Sequence, residues 1–211
     1  MAHVVWDWNG TLLADLAVTV DAVNAVVTEY GANTITAEDY ALHYRRPVRR
    51  FYDHLLGRKL DGKMWEHIDQ VWHAHYHARL PEIPLADHAV DTLRRIADEG
   101  HSQSLLSMWW HDLLVAECDR REISSWFTRI DGNQRSTGDR KAVSLVGHLE
   151  GLGIDASTED VLLIGDTLDD AEAAHGNGAR AVLITSTTHP DRLKVAGVPI
   201  IDCISELPAL L

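Results

Sequence analysis

Val161-Leu162-Leu163-Ile164-Gly165-Asp166-Thr167-Leu168-Asp169-Asp170 is the most informative stretch of the chain. Its first four residues are all apolar and end abruptly in polar ones, which reads as a short strand buried on both faces. Downstream, a helix stops at Gly178, a strand Ala181-Val182-Leu183-Ile184 follows, and another strand lies near Ile200. Upstream, a helix from Ala89 to Glu99 is capped by Gly100 and precedes a strand ending Ser104-Leu105-Leu106-Ser107. A helix from His111, a short apolar piece near Ile130 and a helix from about Lys141 to Leu152 complete this part. Strands alternating with helices predict an α/β fold with a parallel, doubly wound, Rossmann-like sheet.

The N-terminal part reads differently. The strand His3-Val4-Val5-Trp6-Asp7-Trp8 runs into the turn Asn9-Gly10. From there Leu16, Val20, Val23, Val27 and Tyr30 recur at helical spacing until Gly31. Thr36 precedes Glu38 and Asp39 as an N-cap precedes first-turn acids. Pro47 opens a third helix that Gly57 stops, and Met64, Trp65, Ile68, Val71, Trp72, Tyr76 and Leu80 mark a fourth. The predicted organisation is an α/β unit over 1–14 and 82–211, with a helical insertion over 15–81 that ends at Pro81-Glu82-Ile83-Pro84.

Composition narrows the function. The 211 residues are 45% hydrophobic and 24% charged, as expected of a globular protein able to bury a core without staples. Nineteen Lys+Arg against 32 Asp+Glu give a net charge of −13, a field that repels nucleic-acid phosphates. Cys118 and Cys203 stand far apart in no metal-ligand spacing, which suits a reducing compartment. No apolar run approaches the roughly 18 residues of a membrane span, and no basic-then-apolar leader opens the chain. The expectation is a cytoplasmic protein, monomer or homodimer, binding neither nucleic acid nor membrane.

In doubly wound sheets chemistry sits beyond the carboxyl ends of the strands. There the pattern places Asp7, Asn9, Gly10 and Thr11 after one strand, Ser107 after another, and Gly165, Asp166, Asp169 and Asp170 after a third. Lys141 begins the helix before that third strand. A carboxylate nucleophile, further carboxylates for a hard cation, a hydroxyl and an ammonium are the parts of a phosphoryl-transfer site with an aspartate acceptor.

These residues resemble the motifs of the haloacid dehalogenase superfamily, in its phosphatase-type, phosphoglycolate-phosphatase-like members with a helical cap inserted after the first motif. Asp7-Trp8-Asn9-Gly10-Thr11-Leu12 resembles the first motif, Ser107 the second, Lys141 the third, and Gly165-Asp166-Thr167-Leu168-Asp169-Asp170 the fourth. The resemblance spans nearly the whole chain. It implies a Mg²⁺-dependent hydrolase of small phosphorylated metabolites that works through an aspartyl phosphate on Asp7. It also implies that Asp7, the backbone carbonyl of Asn9 and Asp166 bind Mg²⁺, with Asp170 as a ligand or close behind. Ser107 and Lys141 would hold the phosphate, with Gly10 and Thr11 in the phosphate-binding turn, and 15–81 would be the cap. Asp169 falls at a variable position and receives no role.

The sequence departs from that family at Asn9, where phosphatases carry an Asp that protonates the leaving oxygen and then activates water. An amide cannot donate and recover a proton at neutral pH, and a lost acid–base group typically forfeits roughly 10² to 10⁴ in rate. Three readings follow: substrates with good leaving groups such as acyl or aryl phosphates, another acid such as His111 or His175, or an impaired protein that binds a phosphometabolite or a protein partner. The dehalogenases carry Tyr here and the phosphonatases Ala, so Asn9 indicates neither chemistry. Asn9-Gly10 also offers little steric resistance to succinimide formation, so deamidation would create an acid in part of a preparation.

Each functional reading has a plainer alternative. Asp7 and Asn9 could be turn residues, the Asp166–Asp170 acids a helix-start cluster, Ser107 a strand-end hydroxyl, and Lys141 a solvated lysine. His73, His75 and His77 are either a polar stripe or a metal site, since His73 and His77 share a helix face. Trp65 and Trp72 read as cap core, and one of Trp109 and Trp110 as either pocket wall or packing. Arg45, Arg46, Arg49 and Arg50 are either a solvated edge or the source of one cation reaching from the cap to a second anionic group of the substrate.

Overall fold

A computed structural model of the chain describes residues 1–134 and 140–211. Strand β1 (His3–Trp6) leads into α1 (Leu16–Glu29), α2 (Ala37–His43), α3 (Val48–Leu55) and α4 (Gly62–Arg79). The alternating part follows as α5 (Ala89–Asp98), β2 (Ser102–Trp110), α6 (His111–Arg120), β3 (Ile130–Asn133) and α7 (Lys141–Leu152). It ends with β4 (Val161–Gly165), α8 (Leu168–Gly176), β5 (Arg180–Ile184), α9 (Pro190–Leu193) and β6 (Ile200–Ile201). The strands form one sheet in the order β3-β2-β1-β4-β5-β6, and all its pairings are parallel.

Alternating side chains bury both faces of this sheet, as the apolar run of β4 requires. Val4, Trp6, Leu105, Leu162, Ile164 and Val182 face one core. Their neighbours Val5, Leu106, Val161, Leu163, Ala181 and Leu183 face the other, with Leu145 and Leu149 of α7 and Ala171, Ala173 and Ala174 of α8. The strand order reverses between β1 and β4, so the crevice that doubly wound sheets use for ligands opens beyond Trp6 and Gly165.

The four helices between β1 and β2 have a core of their own, with Val23, Val26, Val27, Tyr40, Phe51, Tyr52 and Ile68 at its centre. Thr36 caps α2 in a reciprocal capping box with Asp39, and Asp61 caps α4 through the Met64 N–H. Two of these helices also pack on the sheet. Val18 and Ala22 of α1 and Tyr76 of α4 belong to the sheet's core, whereas Val20 and Val23 of α1 and Ile68 of α4 belong to the helical one.

The strand read as ending at Ser107 continues to Trp110. Its pairing with β3 shifts register between Leu106 and Trp110, so Ser107 lies where the regular ladder breaks, inside the strand rather than after it. Among the described residues, no helix is long and apolar enough to cross a membrane.

Candidate active site

The turn after β1 is built around Gly10. Its φ is +71°, and a Cβ there would lie 2.5 Å from Asp166 Oδ2 and 2.6 Å from Thr187 Cγ2. Glycine is therefore needed both for the backbone and for the close approach of the β4 turn. At the end of β4, a Cβ on Gly165 would overlap the Asp170 carboxyl. Thr167 caps α8 in a second capping box with Asp170, whose Oδ2 accepts from Thr167 Oγ1 at 2.7 Å and from its N–H at 3.0 Å. These two turns carry three acids to one place. Asp7, Asp166 and Asp170 each present an oxygen within 4.8 Å of the others.

Lys141, at the first position of α7, is buried among them. Its Nζ lies 2.7 Å from Asp7 Oδ1 and also pairs with Asp170. One ammonium against three carboxylates leaves an excess of buried negative charge. Burial pushes the Asp7 carboxyl up to about 6, with Asp170 adding to the rise and Lys141 opposing it. Burial, with repulsion from Asp170 and Asp7, also drives Asp166 well above the usual range. Against its burial, Lys141 and the Thr167 donors together hold Asp170 below the usual range. The same two carboxylates raise Lys141 despite its burial, so it is a fixed cation.

This cluster forms the floor of a cavity of about 240 Å³. Ser107 lines it, and so do Asn9, Gly10, Thr187 and Trp109. Of the residues singled out from sequence, Asp7, Asn9, Gly10, Ser107, Lys141, Asp166 and Asp170 all meet there, as does Asp169. Thr11 does not line it. Its side chain is buried behind the turn, and its hydroxyl has no hydrogen-bond partner. His111 and His175, considered as replacement acids, lie outside it as well. His111 accepts the Gly132 N–H at 3.2 Å beside a separate surface depression, and His175 is exposed on α8. His73 and His77 pack ring to ring at 5.3 Å near that depression, and His75 is exposed. Among the described residues, the acids able to share a metal are Asp7, Asp166 and Asp170, and these histidines form no such group.

Three features of the site were not read from sequence. Asp15 is almost fully buried, and Asn9 Nδ2 donates to its Oδ2 at 2.8 Å while Tyr76 Oη donates to the same atom at 2.7 Å. The Gly10 N–H donates to its Oδ1 at 2.8 Å. Burial raises the Asp15 pKa, and these hydrogen bonds oppose the rise. Asn9 Nδ2 also donates to Tyr76 Oη at 2.8 Å, so α4 is tied to the turn after β1. In the sequence Asp15 reads only as an acid before a helix. Second, Arg46, one of the four arginines weighed as a solvated edge or a cation reaching from the cap, lines the cavity; what the sequence does not show is that its Nε pairs with Asp169 Oδ2 at 3.2 Å, joining the helical segment to the β4 turn. Arg49 instead bonds the Leu60 carbonyl. Third, Thr187 donates its hydroxyl to Asp166 Oδ2 from the loop after β5. No motif marks that loop.

A family model described as haloacid dehalogenase-like hydrolase matches residues 4–184. A phosphoglycolate phosphatase of Synechococcus elongatus is 24% identical over 211 residues, covering 99% of this chain and 94% of that protein. A haloacid dehalogenase-like family hydrolase of Streptococcus pneumoniae superposes with a TM-score of 0.83 at 19% identity, over 99% of this chain and 97% of that one. A haloacid dehalogenase-like protein of Agrobacterium tumefaciens gives a TM-score of 0.78 at 19% identity, over 99% and 96%.

Proposed function

The chain belongs to the haloacid dehalogenase-like hydrolases, and on that premise we propose that it is a phosphatase of small phosphorylated metabolites with Asp7 as nucleophile. The observation that carries this reading is the set of Asp7, Asp166 and Asp170 gathered around the buried Lys141 at the crevice of the sheet. The name of the cyanobacterial relative points to the same reaction class.

The donor set fits Mg²⁺. It consists of hard carboxylate oxygens, and its surplus negative charge, visible in the raised Asp7 and Asp166, is what a divalent cation would neutralise. Asp7, Asp166 and Asp170, with the backbone carbonyl of Asn9, would hold it. When bound it supplies charge neutralisation for the phosphoryl oxygens and keeps the acids ionised.

The chain's own residues do the rest. A carboxylate oxygen of Asp7 attacks phosphorus, the bond from phosphorus to the leaving oxygen breaks, and the electron pair stays on that oxygen. Water then attacks phosphorus of the aspartyl phosphate, the bond from phosphorus to the Asp7 oxygen breaks, and phosphate leaves with one proton of that water passed to phosphate or solvent, which restores the carboxylate. Lys141 and Ser107 bind the phosphoryl oxygens, and Lys141 tempers repulsion between the incoming anion and the acids. The helical segment 15–81 acts as a cap that excludes bulk water, with Tyr76 and Arg46 as its contacts to the reacting turns.

Asn9 supplies no proton to the leaving oxygen, so substrates with stable leaving anions are favoured. The test is a Mg²⁺-supported phosphatase screen over acyl, aryl and alkyl phosphates with wild type, Asp7→Asn and Asn9→Asp. Hydrolysis of activated esters that vanishes in Asp7→Asn supports the proposal. Activity that survives in Asp7→Asn contradicts it, and no activity until Asp stands at position 9 favours an impaired, ligand-binding protein.

A further inference from the structure

A second cavity, of about 200 Å³, lies inside the helical segment. It shares Thr19, Tyr40, Tyr44 and Trp72 as walls with the acidic cavity below. Its remaining lining is largely aromatic and aliphatic, including Phe51, Tyr52 and Trp65, and among the described residues it contains no Lys or Arg. Among the described residues its carboxylate is Asp69. Two polar atoms in this lining are buried without a hydrogen-bond partner: the Tyr52 hydroxyl and His73 Nδ1. Buried polar groups are rarely left so, and where their residues line a cavity a ligand's polar atom can complete the pairing. The shared wall is tied to the reacting turn. Trp72 stacks on Tyr76 with ring centroids 4.7 Å apart, and Tyr76 Oη receives Asn9 Nδ2.

We propose that this cavity receives the organic half of the substrate, and that it is a single aromatic ring bearing a polar substituent. The inference rests on the phosphatase reading and names its substrate class: an aryl phosphomonoester. An apolar cavity of roughly 150 Å³ takes up benzene, so this one accommodates one substituted ring. A carboxylate-ended leaving group such as glycolate would meet Asp69 and no cation there. The chemistry at Asn9 agrees independently. When Asp7 attacks, the bond to the aryl oxygen breaks and the ring departs as a phenolate that is protonated by solvent, so no acid is needed at position 9.

The experiment compares phenyl phosphate with hexafluoroisopropyl phosphate, whose leaving group is a comparably weak base without a ring. Ring burial predicts a kcat/KM for the phenyl ester at least about tenfold higher, expressed mainly in KM. Val48→Phe, which narrows the cavity, brings that ratio toward one. Tyr52→Phe removes the preference for 4-hydroxyphenyl over phenyl phosphate. Phenylphosphonate and methylphosphonate are the non-hydrolysable binding probes, read by isothermal titration calorimetry. Tighter binding of phenylphosphonate by about tenfold, lost in Val48→Phe, supports the ring site even if neither ester turns over, in which case only the phosphatase reading fails. Equal affinity for the two phosphonates, or a phenyl preference unmoved by both substitutions, overturns the proposal.

Discussion

Replacing the proposed nucleophile should make the metal-free protein more stable. Asp7 is held at about 6 in the folded chain against 3.8 for a free carboxyl, because burial beside Asp170 outweighs the help from Lys141. Between those two values the folded state binds more protons than the unfolded one, so stability falls as pH rises from about 4 to about 6 and stays lower above. The shift corresponds to about 3 kcal/mol at pH 7. Asp7→Asn removes this cost, since a neutral amide fills the same space and Lys141 keeps Asp170 as a partner. For a domain of this size the Tm should rise by about 6–12 °C. Thermal melts in EDTA from pH 4 to 8 provide the assay. The difference between variant and wild type should be small at pH 4, grow to pH 6 and then level off. Added Mg²⁺ should stabilise wild type more than the variant. A variant equal to or below wild type at pH 7, or a difference independent of pH, refutes the electrostatic reasoning.

Three further substitutions test other parts of the account. Lys141→Met strips the buried acids of their ammonium and should cost about 3–5 kcal/mol at pH 7 in urea unfolding, with much of the loss recovered at pH 5 as the acids protonate. Asn9→Asp should raise kcat on alkyl phosphates by roughly 10² to 10⁴. Because the new carboxylate would stand beside Asp15, the acidic limb of its pH–rate profile should move upward and return in the double variant with Asp15→Asn. His3 is buried between the hydroxyls of Ser102 and Ser104, and burial with the nearby His148 lowers its pKa to about 4. Its folded form resists protonation, so the stability present above pH 6.5 is lost as pH falls toward 4. Wild type should lose about 3 kcal/mol relative to His3→Asn over that window, measured by denaturant unfolding.

Much of this was legible in residue order. The apolar runs of β1, β4 and β5 and the helical periods of α1 and α4 state their burial directly, because strand and helix periods differ. The acids at strand ends were legible because a doubly wound sheet gathers the residues that follow its strands. What the sequence hid came from tertiary approach. Asp15 joins the site because the chain turns back after Gly10, and Tyr76 reaches Asn9 across 67 positions. Arg46 meets Asp169 because the helical segment folds over the β4 turn. Thr11 and Ser107 show the converse: motif position placed both at the site, yet the turn points Thr11 inward and the β2 irregularity, not a strand end, presents Ser107.

The proposed reaction passes through a covalent phosphoryl group on Asp7. Rapid acid quench during turnover of ³²P-labelled phenyl or acetyl phosphate with Mg²⁺, followed by peptide mapping, tests it most directly. A phosphorylated Asp7 gives alkali-labile label on the N-terminal peptide, absent from Asp7→Asn. Phosphate release with no labelled protein, or label at another residue, contradicts it.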